Sequence, residues 1–170
     1  MLACWLRPDT NATDHRIAVR IVGATYLPTL TVSYQAFGLI KELGTFLAAQ
    51  STRFVLGTNC FLNALPSEPD TAASLTEYGG GAPDYTFAND LPAWENARVA
   101  LTTRSTSSAG ARANINAGWT ALQRVANESL SGTPWLRVSA VQDPFLLRRD
   151  EQGRVVFQVN FDCQRRTTST

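Results

Sequence analysis

His15 is the single histidine in this 170-residue chain. Any Ser–His–Asp or Cys–His relay would have to recruit it from an N-terminal stretch rich in turn formers, Pro8 to Asp14. No Gly-x-Ser-x-Gly elbow is present to expose a serine nucleophile. Cys4, Cys60 and Cys163 contain no Cys-x-x-Cys pair, so the spacing of a structural zinc site is missing and no metal is expected. Their odd number also argues against a disulfide framework and for reduced thiols. Tyr78-Gly79-Gly80-Gly81 is glycine-rich, but no Gly-Lys-Ser/Thr follows. It reads as a flexible surface loop rather than a phosphate cradle, and no cofactor is expected. Asp143, Asp150, Glu151 and Asp162 could be paired for acid–base work. However, Asp150 and Glu151 fall in a tight turn, where Asp serves geometry alone, and Asp162 falls on the polar face of a strand. These residues do not point to an enzyme.

The elements that must carry them can be read from periodicity. Ile17, Val19 and Ile21 alternate with Ala18 and Arg20 and suit a short strand. Ser33 is placed to cap a helix over 34–50, with a stripe of Ala36, Ile40, Leu43 and Leu47. A strand is expected between Gly57 and Pro66 and another at Leu75–Tyr78. The glycine loop then runs to about Pro92. Val99, Leu101 and Thr103 alternate with Arg98, Ala100, Thr102 and Arg104 in a further strand. After the Ser105–Ser108 cluster, Ala111, Ile115, Trp119, Leu122 and Ala126 recur at helical steps and predict a helix of about 20 residues. Trp119 and Trp135 read as core residues. Trp135 to Gln142 reads as a strand, and the C-terminus as a hairpin. In the hairpin, Phe145–Arg149 leads through Asp150-Glu151-Gln152-Gly153 into the alternation of Val155, Phe157, Val159, Phe161 and Cys163. This order predicts an α+β fold, a mostly antiparallel sheet with two main helices on one face and a C-terminal β-hairpin.

Composition narrows the function classes. Apolar residues make up 44% of the chain, enough for a core. Charged residues are only 17%, which suits uncharged surface used for contacts with other subunits. A net charge of +1 offers no strong field toward nucleic acid or an acidic membrane. No apolar run approaches bilayer length, and Met1 to Pro8 lacks the form of a secretory signal, so no membrane partner is expected. Lys41 is the single lysine; every other basic residue is arginine, a better interface residue. Arg148, Arg149, Arg154, Arg165 and Arg166 concentrate charge at the hairpin. They are either its solvated ends or pairing groups for a neighbouring subunit or for DNA in a pore.

Several motifs then coincide in order. Gly57-Thr58-Asn59-Cys60-Phe61 followed by Leu65-Pro66 resembles the Gly-x-Asn-x-Phe strand of the bacteriophage minor capsid and tail terminator proteins of long-tailed phages. Glu77-Tyr78-Gly79-Gly80 is similar to that family's Gly-Gly loop. Leu91-Pro92 and the strand ending at Arg104 are similar to its central strand. Pro144-Phe145, Asp150 and Gly153-Arg154 match its Pro-Phe-x-x-x-x-Asp-x-x-Gly-Arg hairpin. The resemblance covers roughly residues 34–165, within a single domain expected over 32–170. Residues 1–31 match nothing in the family pattern; they are a docking arm or an extension from a start codon set too early.

The resemblance implies a virion protein, assembled in the host cytoplasm, at the head–tail junction. It would form a ring, six-fold in related terminators, through which DNA passes. It would stop growth of the tail tube protein and present a surface to the head connector or neck protein. Contact residues carried by this reading are Tyr78, Gly79, Gly80, Gly81, Tyr85, Trp94, Arg104, Arg148, Arg149, Asp150 and Arg154. A minor capsid or neck protein without a tail-length role is the alternative. A small ligand-binding or enzymatic domain is the reading from another class.

Overall fold

The computed structural model describes residues 16–17, 32–33, 38–85 and 92–166. The backbone divides into two units, Met1–Gly38 and Leu39–Thr170. In the first, β1 (Arg16–Ile17) pairs antiparallel with β2 (Val32–Ser33). Val19 and Ile21, expected in the same strand as Ile17, lie outside the described residues, as does His15. Ser33, expected as a helix cap, sits in β2.

The second unit contains α1 (Gly38–Gln50), β3 (Cys60–Leu62), β4 (Ala72–Gly80), β5 (Asp84–Tyr85), β6 (Pro92–Ser105), α2 (Ser108–Leu122), β7 (Ala126–Leu130), β8 (Thr133–Ala140), β9 (Phe145–Arg149) and β10 (Val155–Arg166). Its eight strands form one sheet in the order β3-β4-β6-β10-β8-β7, with β5 added beside β6 and β9 beside β10. Among the described residues only the β3–β4 ladder is parallel; the others are antiparallel. The expected α+β arrangement is the one observed.

The period-two pattern explains the centre of this sheet. In the β6–β10 ladder, Phe157 faces Thr103, Val159 faces Leu101, Phe161 faces Val99 and Cys163 faces Ala97. All eight side chains are buried, so one face of both strands is core. The helices close that face. Leu39, Ile40, Leu43 and Leu47 of α1 and Ala111, Ile115 and Leu122 of α2 belong to the same apolar cluster. Burial of each Leu, Ile or Phe side chain contributes about 1.5–3 kcal/mol. Ser107 caps α2, its hydroxyl accepting from the amide of Gly110 at 3.0 Å. The opposite sheet face carries polar uncharged groups such as Thr76, Thr102, Gln158 and Asn160, as alternation requires.

Two expectations are corrected. The helix was expected to run to Ala126, but it stops at Leu122. Residues Ala126–Leu130 instead pair with β8 through a turn at Ser131 (φ 50°) and Gly132 (φ 88°). Two successive positive φ angles match the twist of a two-residue hairpin, and the ladder it starts outweighs the helical periodicity. The glycine stretch was expected to be a loop. Gly79 and Gly80 are instead the end of β4, paired with Arg98 and Ala97 of β6.

Candidate assembly interface

The C-terminal hairpin is built on its turn. Asp150 Oδ1 accepts from the amides of Gln152 (3.1 Å) and Arg154 (2.9 Å), and Oδ2 accepts from Arg154 Nε (2.7 Å). Gly153, at φ 75°, completes the reversal in a conformation that glycine adopts without strain. The Arg154 guanidinium also donates to the Ser67 carbonyl (2.8 Å), Asp70 Oδ1 (2.9 Å) and Gln152 Oε1 (2.9 Å). Arg104 adds donations to the carbonyls of Ser67 (3.0 Å) and Pro69 (2.6 Å). Two guanidiniums thus hold the segment between β3 and β4 against the hairpin base. Burial opposes the Asp150 charge, but hydrogen bonds and charge from Arg154 outweigh it and hold this carboxyl below the usual range. Burial, then the neighbouring Arg154 charge, lower Arg104, with Asp150 acting against them.

Arg104 and Arg154 were expected on a contact surface. That expectation is corrected, because both are buried, at 4% and 5% exposure. Their forks are bound mainly to groups of this same chain, which brace the hairpin.

What the braced hairpin presents is β9. Its only partner among the described residues is β10, through residues 155–158, which leaves its other edge unpaired. Phe145, Leu146 and Leu147 are 37%, 56% and 43% exposed. The ladder register shifts beside Leu147, as in a bulge. Arg148 and Arg149 follow, exposed, with no carboxylate partner among the described residues. The strand is rooted by Arg112 of α2, which donates to the Pro144 carbonyl at 2.7 Å and stacks on Phe157. An open strand edge with contiguous apolar side chains is costly in water, which makes this edge a candidate contact surface.

The glycine corner lies on the other side of the sheet. β3 covers β4 only at residues 73–75, so the outer edge of Glu77–Gly80 is unpaired among the described residues. The corner is ordered by Asn96: its carbonyl accepts from the Gly81 amide at 2.8 Å, and its side chain donates to the Ala82 carbonyl (2.8 Å) and Asp84 Oδ2 (3.2 Å). A Cβ at Gly80 would overlap the Asn96 carbonyl oxygen, so only glycine permits this approach. Tyr78 and Tyr85 are 49% and 62% exposed, and Trp94 is half-buried. Glu77 carries no ion pair among the described residues; burial and then the Glu95 charge raise its carboxyl, with Arg165 opposing.

A polar cluster inside the fold was missed by sequence reasoning. Glu42 of α1 accepts from Trp135 Nε1 (2.7 Å) and Thr133 Oγ1 (2.9 Å) and pairs with Arg165 at 3.4 Å. Arg165 also binds Glu95 at 2.8 Å and lies over the Trp135 ring. The available signal was an acid set among Leu39, Ile40 and Leu43 on the apolar side of α1. The exposed aliphatic run of β9 was likewise visible as a motif but not as a surface.

Among the described residues, reactive groups do not converge. Burial pushes the Cys60 thiol to about 11 and the Cys163 thiol to about 12, the latter helped by the Asp162 and Glu77 charges against Arg165. Such thiols are inert. Among the described residues no group of His, Cys, Asp or Glu is arranged to hold a metal. An open depression of about 220 Å³ beside Arg98, Arg137 and Asp162 is polar. Two of its charges, Arg98 and Asp162, pair with each other at 3.0 Å. No described helix is long and apolar enough to cross a membrane.

Of the remaining expected contact residues, the structure brings Tyr78, Gly79, Gly80, Gly81, Tyr85 and Trp94 to one corner. Arg148, Arg149 and Asp150 lie at the other, with Asp150 turned inward to Arg154.

Comparison with known proteins gives these corners a context. No curated protein matches the chain. A solved chain from the virion of a native gene transfer agent particle is similar in fold, with a TM-score of 0.51 and 18% identity, covering 77% of this chain and 99% of that one. The family model described as bacteriophage tail terminator protein matches residues 38–167, which is the whole helix-and-sheet unit. The chain therefore belongs to the bacteriophage tail terminator family and is a structural protein of the virion.

Proposed function

We propose that this protein acts by self-assembly into a ring, six-fold as in related terminators, that seats on the last ring of the tail tube. There it stops tube polymerisation and offers its outer surface to the head connector, with DNA passing through the ring. Residues 32–170 form the terminator domain. No bond is made or broken in this role.

The observation that carries this reading is the family match over residues 38–167. The geometry supports it with two open sheet edges, at β9 and at the Glu77–Tyr85 corner, that bear exposed apolar or aromatic side chains. Energy for such assembly comes from burying these anchors. The test is removal of the gene from an infecting phage, with tails measured by electron microscopy. Overgrown tails that fail to join heads are expected. Tails of normal length attached to heads would rule out the terminator role and leave a neck or minor capsid position.

A further inference from the structure

Two of the sheet's unpaired edges, those of β9 and of the Glu77–Tyr85 corner, lie at diagonally opposite corners. β9 flanks β10 at the end where Val155 meets Ser105, and β5 flanks β6 at the far end, where Asp84 meets Trp94. They differ in charge. The β9 edge carries Arg148 and Arg149, neither with a carboxylate partner among the described residues. Among the described residues, the opposite corner carries Glu77 without an ion pair and Asp84 bound by the amides of Asn96 and Gln164 rather than by a cation. Each corner also holds an apolar set of matching kind: Phe145, Leu146 and Leu147 on one, Tyr78 and Tyr85 on the other.

We infer that the β9 edge of one copy docks on the Glu77–Tyr85 corner of the next, extending the sheet from subunit to subunit. This inference rests on the ring-forming reading and names its contact. The occupant is a second copy because Arg148 and Arg149 of the β9 edge are opposite in sign to Glu77 and Asp84 of the other corner. Hairpin-to-hairpin pairing would set Arg148 and Arg149 against themselves, and corner-to-corner pairing would do the same with Glu77 and Asp84. The contact is therefore head to tail, and such a contact propagates from copy to copy, closing into a ring when the rotation per subunit closes. β9 is five residues long and the free part of β4 is Glu77–Gly80, so the edges match in length. The braced hairpin base keeps β9 rigid before contact, which reduces the ordering cost of docking.

The test uses two variants of the full chain, R148E/R149E and E77R/D84R, with mass photometry of each alone and of an equal mixture. All four substituted side chains are exposed, and circular dichroism checks that each variant folds. Each variant alone sets like charges at every junction and is expected to need at least a tenfold higher concentration to assemble than the natural chain. In the mixture, unlike corners alternate around the ring, and assembly is expected to return to the natural range for an even-numbered ring. The quadruple variant, which restores unlike charges at every junction whatever the ring number, is expected to assemble as well. Disulfide capture adds a second measurement: L146C with Y78C, in a Cys4→Ser background, is expected to give a ladder of covalent oligomers. If the natural chain forms rings while the quadruple variant does not recover and no ladder appears, the pairing is wrong and the ring stands. If both single-corner variants assemble like the natural chain, the pairing is equally wrong. A natural chain that stays monomeric at every concentration overturns the ring itself, and the pairing with it.

Discussion

Replacing Glu42 by alanine is expected to be among the most damaging single changes to a charged residue in this fold. Glu42 receives Trp135 Nε1 at 2.7 Å and Thr133 Oγ1 at 2.9 Å, and both donors belong to residues 1% and 5% exposed. Alanine leaves both without an acceptor and out of reach of bulk water. An orphaned buried donor costs about 1–3 kcal/mol. Two of them give roughly 4 kcal/mol as a central value, with Arg165 retaining Glu95 as its partner. Unfolding entropy of about 2.1 cal/mol/K per residue over roughly 130 residues converts this to a fall of about 15 °C in melting temperature. The assay is urea unfolding followed by far-ultraviolet circular dichroism, at concentrations below those that assemble, since association would add stability by mass action. Glu42→Gln is the control. It keeps one oxygen for one donor and turns an amide NH2 toward the other, so an intermediate loss is expected. A loss below about 1 kcal/mol for E42A would refute the claim that this carboxylate satisfies buried donors.

Three further outcomes follow from the same geometry. The Asp150 carboxyl is held below its ordinary value in the folded state, so the unfolded chain takes up this proton first as pH falls. The stabilisation it supplies is complete above the ordinary aspartate range, about 3.9, and drains as pH drops through the depressed value. Urea midpoints measured from pH 5 downward should therefore fall less steeply in Asp150→Asn, and equal slopes would contradict the assignment. In a Cys4→Ser background, Cys60 and Cys163 should resist a thiol reagent at pH 8 until the chain unfolds, because burial holds both as thiols. Rapid labelling of the folded chain would show that the sheet opens there. Gly80→Ala should destabilise the fold by about 1–3 kcal/mol, since its Cβ meets backbone at Asn96, whereas Gly79→Ala meets nothing and should be silent. Equal melting temperatures for the two variants would remove the close approach.

The strands and helices that form the core were largely legible. Alternation in β6 and β10 and the four-residue steps of α2 express burial on one face, and that pattern survives without knowledge of the partner. The Asp150–Gly153 turn was legible for the same reason, because its bonds are all local. Of the expected contact residues, the tyrosines, Arg148 and Arg149 are where a surface reading puts them. Arg104 and Arg154 are not, and most of the acceptors that hold them are distant in the chain. Their acceptors at Ser67, Pro69 and Asp70 lie 34 to 87 positions away.

The amino-acid sequence by itself determined which stretches alternate and where α2 begins at its serine cap. The tertiary structure decided which charges go inside and which edges stay open. Glu42 reaches its donors across 91 and 93 positions of chain. Gly79 and Gly80 became strand because β6 lay alongside to pair with them. Whether a polar group is buried or a strand edge is free depends on which distant segment arrives beside it, and local periodicity holds no record of that arrival.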